Sequence, residues 1–96
     1  MDKIKTVLQI FKDNNLMQND KPVISMTALA NFCGQSNFYA QKLGDTINNP
    51  SPSAIENGIS YKMTDADYDI LISHLSVIRS RLSGVIADAV EMKENK

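Results

Sequence analysis

The sequence is poor in several residue types, and each shortage argues against a class of protein. It has one cysteine in 96 residues, which excludes an internal disulfide framework. Ten basic and eleven acidic side chains leave a formal net charge of −1, whereas a typical DNA-binding domain is strongly basic. No apolar run approaches the roughly 20 residues of a membrane span, and no charged-then-apolar leader opens the chain. We therefore expect a soluble, cytoplasmic protein without a membrane segment.

The remaining composition is that of one small globular domain, with 43% hydrophobic and 22% charged residues. A first helix is predicted from about Asp2 to Met17, because apolar residues recur there at the spacing of one helical face. Those residues are Ile4, Val7, Leu8 and Phe11. Val23-Ile24 is predicted to be a two-residue strand that pairs with a later hairpin.

Residues 26–45, MTALANFCGQSNFYAQKLGD, have the pattern of a helix-turn-helix. Ala30 supplies a small residue where two helices cross, and Gly34, four residues on, supplies a turn that tolerates positive φ. Gln35 departs from the pattern, which usually has Val or Ile there. Ser25 or Thr27 is expected to cap the first motif helix and Ser36 the second. The inner faces are predicted to hold Leu29, Cys33, Ala40 and Leu43.

The segment after this motif has the pattern of a loop followed by a hairpin. Gly44 is a plausible C-cap, and Pro50 and Pro52 predict a loop. Asn57-Gly58 is a strong hairpin signal, because a type I′ turn needs positive φ at both central residues. A turn there puts the apolar residues on one face and the polar ones on the other. The apolar face would hold Ala54, Ile59, Tyr61 and Met63, and the polar face Ser53, Ser60 and Lys62.

From Thr64 onward the pattern predicts one long helix. Apolar residues recur in alternating steps of three and four, which is a heptad pattern typical of a coiled coil. The predicted dimer interface is Leu71, Leu75, Ile78, Leu82, Val85 and Ala89, within a seam that runs from Tyr68 to Met92. A helix lying on its own domain would show similar periodicity. Length favours a partner, because the helix would measure about 40 Å and the preceding domain about 28 Å. Gly84 inside it indicates close helix approach or a bend.

This order of elements resembles the winged helix-turn-helix superfamily over roughly residues 1 to 70. The resemblance implies a mainly α (α+β) fold with a β-hairpin wing, and it implies DNA binding. We accordingly divide the chain into a winged helix-turn-helix domain at 1–63 and a dimerisation helix at 64–96.

Residues that could suggest enzymatic or metal chemistry have simpler explanations. Asp65, Asp67 and Asp69 have the opening spacing of a calcium loop, but the glycine and glutamate that such a loop needs further on are missing. His74 has no second histidine or cysteine nearby and is expected to be solvated. Cys33 falls where the motif buries a small residue, so we expect an inert thiol. No enzyme, metal site or cofactor is predicted.

On the motif's second helix, the residues expected to contact double-stranded DNA are Ser36, Asn37, Phe38, Gln41 and Lys42, with Lys62 from the wing. Residues 1–63 carry a net charge of only about +1, so two recognition helices in a homodimer would have to share one palindromic site. We therefore predict a homodimeric transcriptional regulator, although a plasmid or phage replication or partition factor would look the same. The alternative is a non-enzymatic protein-interaction module or inhibitor, favoured by an exposed Phe38-Tyr39 pair.

Overall fold

The computed structural model describes residues 3–95. The protein is mainly helical, with a two-stranded antiparallel sheet and a long C-terminal helix. It forms two compact units, Met1–Thr64 and Asp65–Lys96. The helices are α1 Val7–Asp13, α2 Met26–Phe32, α3 Asn37–Leu43, α4 Pro52–Glu56 and α5 Asp65–Glu94, and the strands are β1 Met17–Gln18 and β2 Lys21–Pro22.

α1 is much shorter than the predicted helix. Thr6 caps it, because its hydroxyl accepts a hydrogen bond from the Gln9 amide at 3.2 Å. The helix ends at Asp13, and Asn15 follows with a φ of +60°. Ile4 precedes the helix and is 47% exposed, so its predicted place on the buried face is wrong. Asp2 lies outside the described residues.

The small sheet lies between α1 and α2, where a helix end was predicted. Met17 pairs with Pro22 and Gln18 with Lys21. The turn residues Asn19 and Asp20 have φ of +52° and +64°, as a type I′ turn requires, and Asn and Asp tolerate this conformation better than most residues. The predicted strand at Val23-Ile24 is wrong, because these residues form a bend after the hairpin.

The helix-turn-helix pattern is built as α2, a turn and α3, and the two helices pack on each other. Gly34 has a φ of +71°. Its amide bonds to the Asn31 carbonyl at 3.0 Å, and the Gln35 amide bonds to the Ala30 carbonyl at 2.9 Å. This pair of bonds is a Schellman motif, which satisfies two carbonyls at the end of α2. The predicted inner residues Leu29, Ala30, Cys33 and Leu43 are buried, and Ala40 is half-buried.

The capping predictions for the motif hold in part. The Ser25 hydroxyl accepts a bond from the Ala28 amide at 3.0 Å, so Ser25 caps α2. Ser36 occupies the cap position of α3, but its side chain makes no capping bond. Gly44 ends α3, as predicted.

The wing hairpin predicted for residues 54–63 is wrong. Residues 52–56 are helix α4, and residues 59–64 are neither helix nor strand. Ser51 caps α4 by accepting a bond from the Ala54 amide at 3.1 Å. Pro52 stands at the first helical position, where its missing N–H costs nothing. The loop predicted around Pro52 therefore contains a helix start.

Asn57-Gly58 ends α4 instead of turning a hairpin. Gly58 has the predicted positive φ, +64°, but Asn57 has a φ of −90°, whereas a type I′ turn needs positive φ at both. The Ile59 amide bonds to the Ala54 carbonyl at 3.0 Å and the Gly58 amide to the Ile55 carbonyl at 3.2 Å. This is a second Schellman motif. Asn-Gly is suited both to a hairpin turn and to a helix end. Ser51-Pro52, a typical helix start, is the sequence signal that distinguishes the two.

α5 confirms the predicted long helix. Its 30 residues make it about 45 Å long. Leu71 is buried, Tyr68, Leu75 and Ile78 are half-buried, and every residue at 79–95 is exposed. Gly84 has no atom within 4 Å of where a Cβ would lie, so within the single chain it marks no close approach.

Within residues 3–95, α5 is long and apolar enough to cross a membrane, but length and composition alone are a weak indication of a membrane span. Our expectation that no segment approaches a membrane span therefore needs this exception. Arg79 and Arg81 lie near the middle of the apolar stretch. Each costs about 2.5 to 3.5 kcal/mol at the centre of a membrane helix, so they oppose insertion.

Cys33 is packed in the core of the first unit, with 5% of its surface exposed. Burial raises the pKa of its thiol, because an apolar environment disfavours the thiolate. Since the thiolate is the reactive form, this supports the inert thiol expected from the sequence.

The Gly34 turn can be tested by substitution. Gly34→Ala places a Cβ at positive φ and is expected to lower the free energy of unfolding by about 1 kcal/mol. Gly44→Ala is the matched control, because Gly44 has a φ of −87° and its nearest neighbour to an added Cβ is 3.8 Å away. Urea denaturation followed by circular dichroism would measure both. Equal stability of the two variants would contradict the role given to Gly34.

Burial of Cys33 predicts slow chemical modification. In the native protein at pH 8, iodoacetamide is expected to alkylate Cys33 at least about tenfold more slowly than in 8 M urea, because the folded chain shields the thiol and holds it protonated. Mass spectrometry would give both rates. Similar rates in the two conditions would show that Cys33 is not packed as described.

Candidate nucleic-acid interface

The candidate interface is the outer face of α3. Its inner face is fixed by Tyr39 and Leu43, which are 4% and 0% exposed and lie four residues apart. On a helix, this places residues 37 and 41 on the opposite side and residues 38 and 42 along one flank of it. Ser36, Asn37, Phe38 and Gln41 are exposed, and Lys42 is half-buried.

Asn37 and Gln41 form one row of this face, since they lie one turn apart. Both are amide side chains, each with a donor and an acceptor that can reach a base edge. Paired with adenine, such an amide makes two hydrogen bonds in the major groove. The row therefore presents amide donors and acceptors at a helical spacing.

Phe38 and Lys42 form a second row, and Tyr61 from a later segment joins them. The Phe38 and Tyr61 rings are 5.3 Å apart between centroids, tilted by 38°. The Lys42 ammonium lies 5.2 Å from the centre of the Phe38 ring, within reach of a cation–π interaction. Phe38 remains 42% exposed. We call Phe38, Lys42 and Tyr61 the aromatic cluster.

The predicted exposed Phe38-Tyr39 pair is wrong. Neighbouring residues on a helix point about 100° apart, so only one of the two faces solvent. Tyr39 is buried and anchors α3, whereas Phe38 packs beside Tyr61. The sequence missed Tyr61 as its partner because the two residues are far apart in the chain.

Lys62 does not lie on a hairpin wing. It is exposed and its amide bonds to the Ser60 hydroxyl at 3.3 Å. It directly follows Tyr61, whose ring packs against Phe38. Lys62 is therefore adjacent in the chain to a residue that packs on α3, without a wing.

Asn48 and Asn49, which follow α3, form structural hydrogen bonds. The Asn48 side chain accepts from the Ile4 amide at 2.9 Å and donates to the Ile4 carbonyl at 2.8 Å. Asn49 donates to the Asp45 carboxylate. Asn48 also donates to the Asp45 carboxylate at 2.7 Å, so it joins the N-terminal segment to the short 3₁₀ helix Asp45–Ile47.

A shallow groove elsewhere on the first unit has mixed charge. Lys3, Lys5 and Lys12 line it together with Asp20 and Asp45. Lys5 is paired with Asp13 at 2.7 Å, and this bond lowers the pKa of the Asp13 carboxyl. The lining thus offers no single-sign surface for an anion.

The remaining candidate residues for metal or base chemistry lie in α5. Asp65, Asp67 and Asp69 are part of the helix, not of a loop. His74 is half-buried, not solvated as expected, and its Nδ1 lies 2.8 Å from the Ile70 carbonyl. Among residues 3–95, no group of three or more His, Cys, Asp or Glu side chains is placed to hold a metal ion.

The candidate dimer residues differ in exposure along α5. Leu82 and Val85 are 51% and 60% exposed, and Met92 is 74% exposed. Ala89 is also exposed, whereas Leu71 is already buried within the single chain. Among the candidate dimer residues, most of the apolar surface open to a partner therefore lies in the second half of the helix, while Leu75 and Ile78 are half-buried.

Comparison with known proteins leaves the family open. No family model matches the chain, and no significant match is found among curated proteins or solved structures.

Proposed function

We propose that this protein binds double-stranded DNA through α3 and acts as a homodimeric transcriptional regulator. The observation that carries the proposal is the division of α3 into a buried face, held by Tyr39 and Leu43, and an outer face that presents Asn37 and Gln41. A helix fixed on one side and lined with amides on the other has the form needed to read a major groove.

The proposal is supported by the helix-turn-helix geometry and not by a wing. A wing would follow the recognition helix, whereas the hairpin of this chain precedes α2 at residues 17–22. The winged helix-turn-helix resemblance therefore contributes the motif and the order of α1, α2 and α3. Lys62 remains a candidate contact to the DNA backbone because it is exposed and follows Tyr61, which packs on Phe38 of α3.

Weak overall charge makes a homodimer part of the proposal. The whole chain has a formal net charge of −1, so non-specific attraction to phosphates is small. Two copies of α3 on one palindromic site would compensate, because the second contact becomes nearly intramolecular. The exposed apolar residues of α5 supply a surface for such a dimer, and burying a leucine contributes roughly 2 kcal/mol.

Cytoplasmic location and the absence of catalysis belong to the same proposal. The single cysteine is free and buried, as is common in reducing compartments. The proposed work of the protein is binding, so no cofactor or metal is assigned to it.

Asn37 and Lys42 are expected to have different roles on DNA. Asn37→Ala is expected to cost about 1 to 3 kcal/mol on the preferred site and to relax the preference at one base per half-site, because its amide would read a base edge. Lys42→Ala is expected to weaken all duplexes alike and to reduce the salt slope by about one unit per protomer. Fluorescence anisotropy with duplexes selected from a random pool would measure both.

Two surface variants outside the proposed face serve as controls. Asn31→Ala removes an exposed amide from α2, and Lys12→Ala removes an exposed lysine from α1. Both are expected to bind the selected duplex as the unaltered protein does. Selection of no duplex, or equal loss in all four variants, would end the DNA proposal.

Dimerisation through α5 predicts a second outcome. Leu82→Asp combined with Val85→Asp is expected to give monomers at tens of micromolar, because charge would replace apolar residues at the proposed interface. Since both side chains are exposed in the single chain, the folded units should survive. Ser80→Asp, on the opposite side of the helix, is the control and should remain dimeric. Light scattering would decide, and monomeric unaltered protein would refute the dimer.

The aromatic cluster supports a second candidate function, which is binding of a protein partner through the outer face of α3. Phe38 is partly exposed beside Tyr61, and aromatic residues are enriched where proteins meet. Phe38→Ala would then abolish capture of that partner, while Asn37→Ala would have little effect. The DNA proposal predicts the opposite order for duplex binding.

A further inference from the structure

The second half of α5 has too much exposed apolar surface for a helix that works alone. Each residue at 79–95 is exposed. Helices in water gain most of their stability from packing of an apolar face, and Leu82, Val85 and Met92 have no such cover in the single chain. The heptad pattern of this stripe and the sizes of its core residues indicate both what covers it and in which direction.

We infer that α5 pairs with α5 of a second copy in antiparallel orientation, with the two-fold axis between residues 83 and 84. This inference rests on the proposed homodimer and adds its direction and register. In the heptad pattern, Leu75, Leu82 and Ala89 occupy one core position and Ile78, Val85 and Met92 the other. In an antiparallel pair, each residue at the first core position packs against a residue at the second core position of the other helix.

The antiparallel register matches core residues by size. Leu82 packs against Val85 of the second copy, Ile78 against Ala89, and Leu75 against Met92. Each large residue meets a smaller or flexible one, as close packing requires. In a parallel pair, Ala89 would face Ala89 and leave a gap in the core.

The antiparallel pair also brings opposite charges together. Arg81 lies beside the core on the same flank as Asp88, and the antiparallel register brings Arg81 of each copy to Asp88 of the other. The two-fold axis gives this ion pair twice. A parallel pair also has a two-fold axis and would join Asp88 to Lys93 twice while Arg81 faced Ile86, so the two arrangements are equal in ion pairs. Antiparallel helix dipoles are also favourably arranged.

Engineered cysteines distinguish the two orientations. In the antiparallel pair, residue 78 lies beside residue 89 of the second copy, but the two copies of residue 78 are about 16 Å apart along the helix axis. A disulfide needs Cα atoms within about 7 Å. Ile78→Cys and Ala89→Cys are therefore prepared separately and oxidised alone and mixed, without DNA. The unaltered protein, in which Cys33 is buried, is the control.

The antiparallel pair predicts a disulfide-linked heterodimer in the mixture, at least about tenfold above the dimer formed by either variant alone. Parallel helices would instead link each variant to itself. Either that result or no crosslink in any sample overturns the inference. Because DNA is absent, failure to bind a duplex would leave the crosslinking result standing and would count only against the proposed function.

Charge reversal tests the register itself. Arg81→Asp is expected to weaken self-association about tenfold, because two attractions become repulsions. Adding Asp88→Arg to the same chain should restore association, since residues 81 and 88 of the two copies then carry opposite charges again. Lys93→Glu makes the same change in charge and is the matched control, because only the parallel pair joins Lys93 to Asp88. Analytical ultracentrifugation would measure these affinities. A large loss in Lys93→Glu, or no rescue, would overturn the register.

Discussion

The conformation of Gly34 determines where α3 lies. Its positive φ ends α2 and reverses the chain, and the two bonds of the Schellman motif fix the reversal. Asn15 and Gly58 end α1 and α4 with the same left-handed conformation. In a unit whose helices are only five to seven residues long, such ends matter, because short helices have few internal bonds and depend on packing against their neighbours.

Once α3 is placed, its exposed chemistry follows from its anchors. Tyr39 and Leu43 are buried, so the amides of Asn37 and Gln41 must face outward. Tyr61 then reaches the same face from a distant part of the chain and packs on Phe38. Specific recognition needs a rigid helix with fixed outward groups. A loosely held helix would bind more weakly, because ordering it on binding costs conformational entropy.

Low net charge is the physical reason behind both proposals, DNA binding through α3 and pairing of α5. A chain with near-zero net charge gains little from the phosphate backbone, so specific contacts by α3 must be doubled to bind well. In the proposed dimer, the exposed half of α5 has the apolar stripe for such doubling, and the sizes of its core residues favour the antiparallel direction. Arg81, which with Arg79 opposes insertion of this helix in a membrane, pairs across the interface of the proposed dimer.

The sequence by itself determined the helix-turn-helix and the long helix, because both follow from hydrophobic periodicity. The helix-turn-helix also depends on Gly34, whose positive φ is a requirement of the local backbone. It also determined that Gly58 has positive φ, but not why, since Asn-Gly suits a hairpin turn and a helix end equally. Tertiary structure decided the rest. Tyr39 is buried and Phe38 exposed because of where α3 packs, and Asn48 is held by Ile4, 44 residues away. No local pattern encodes such contacts, because they form only after the chain has folded back on itself.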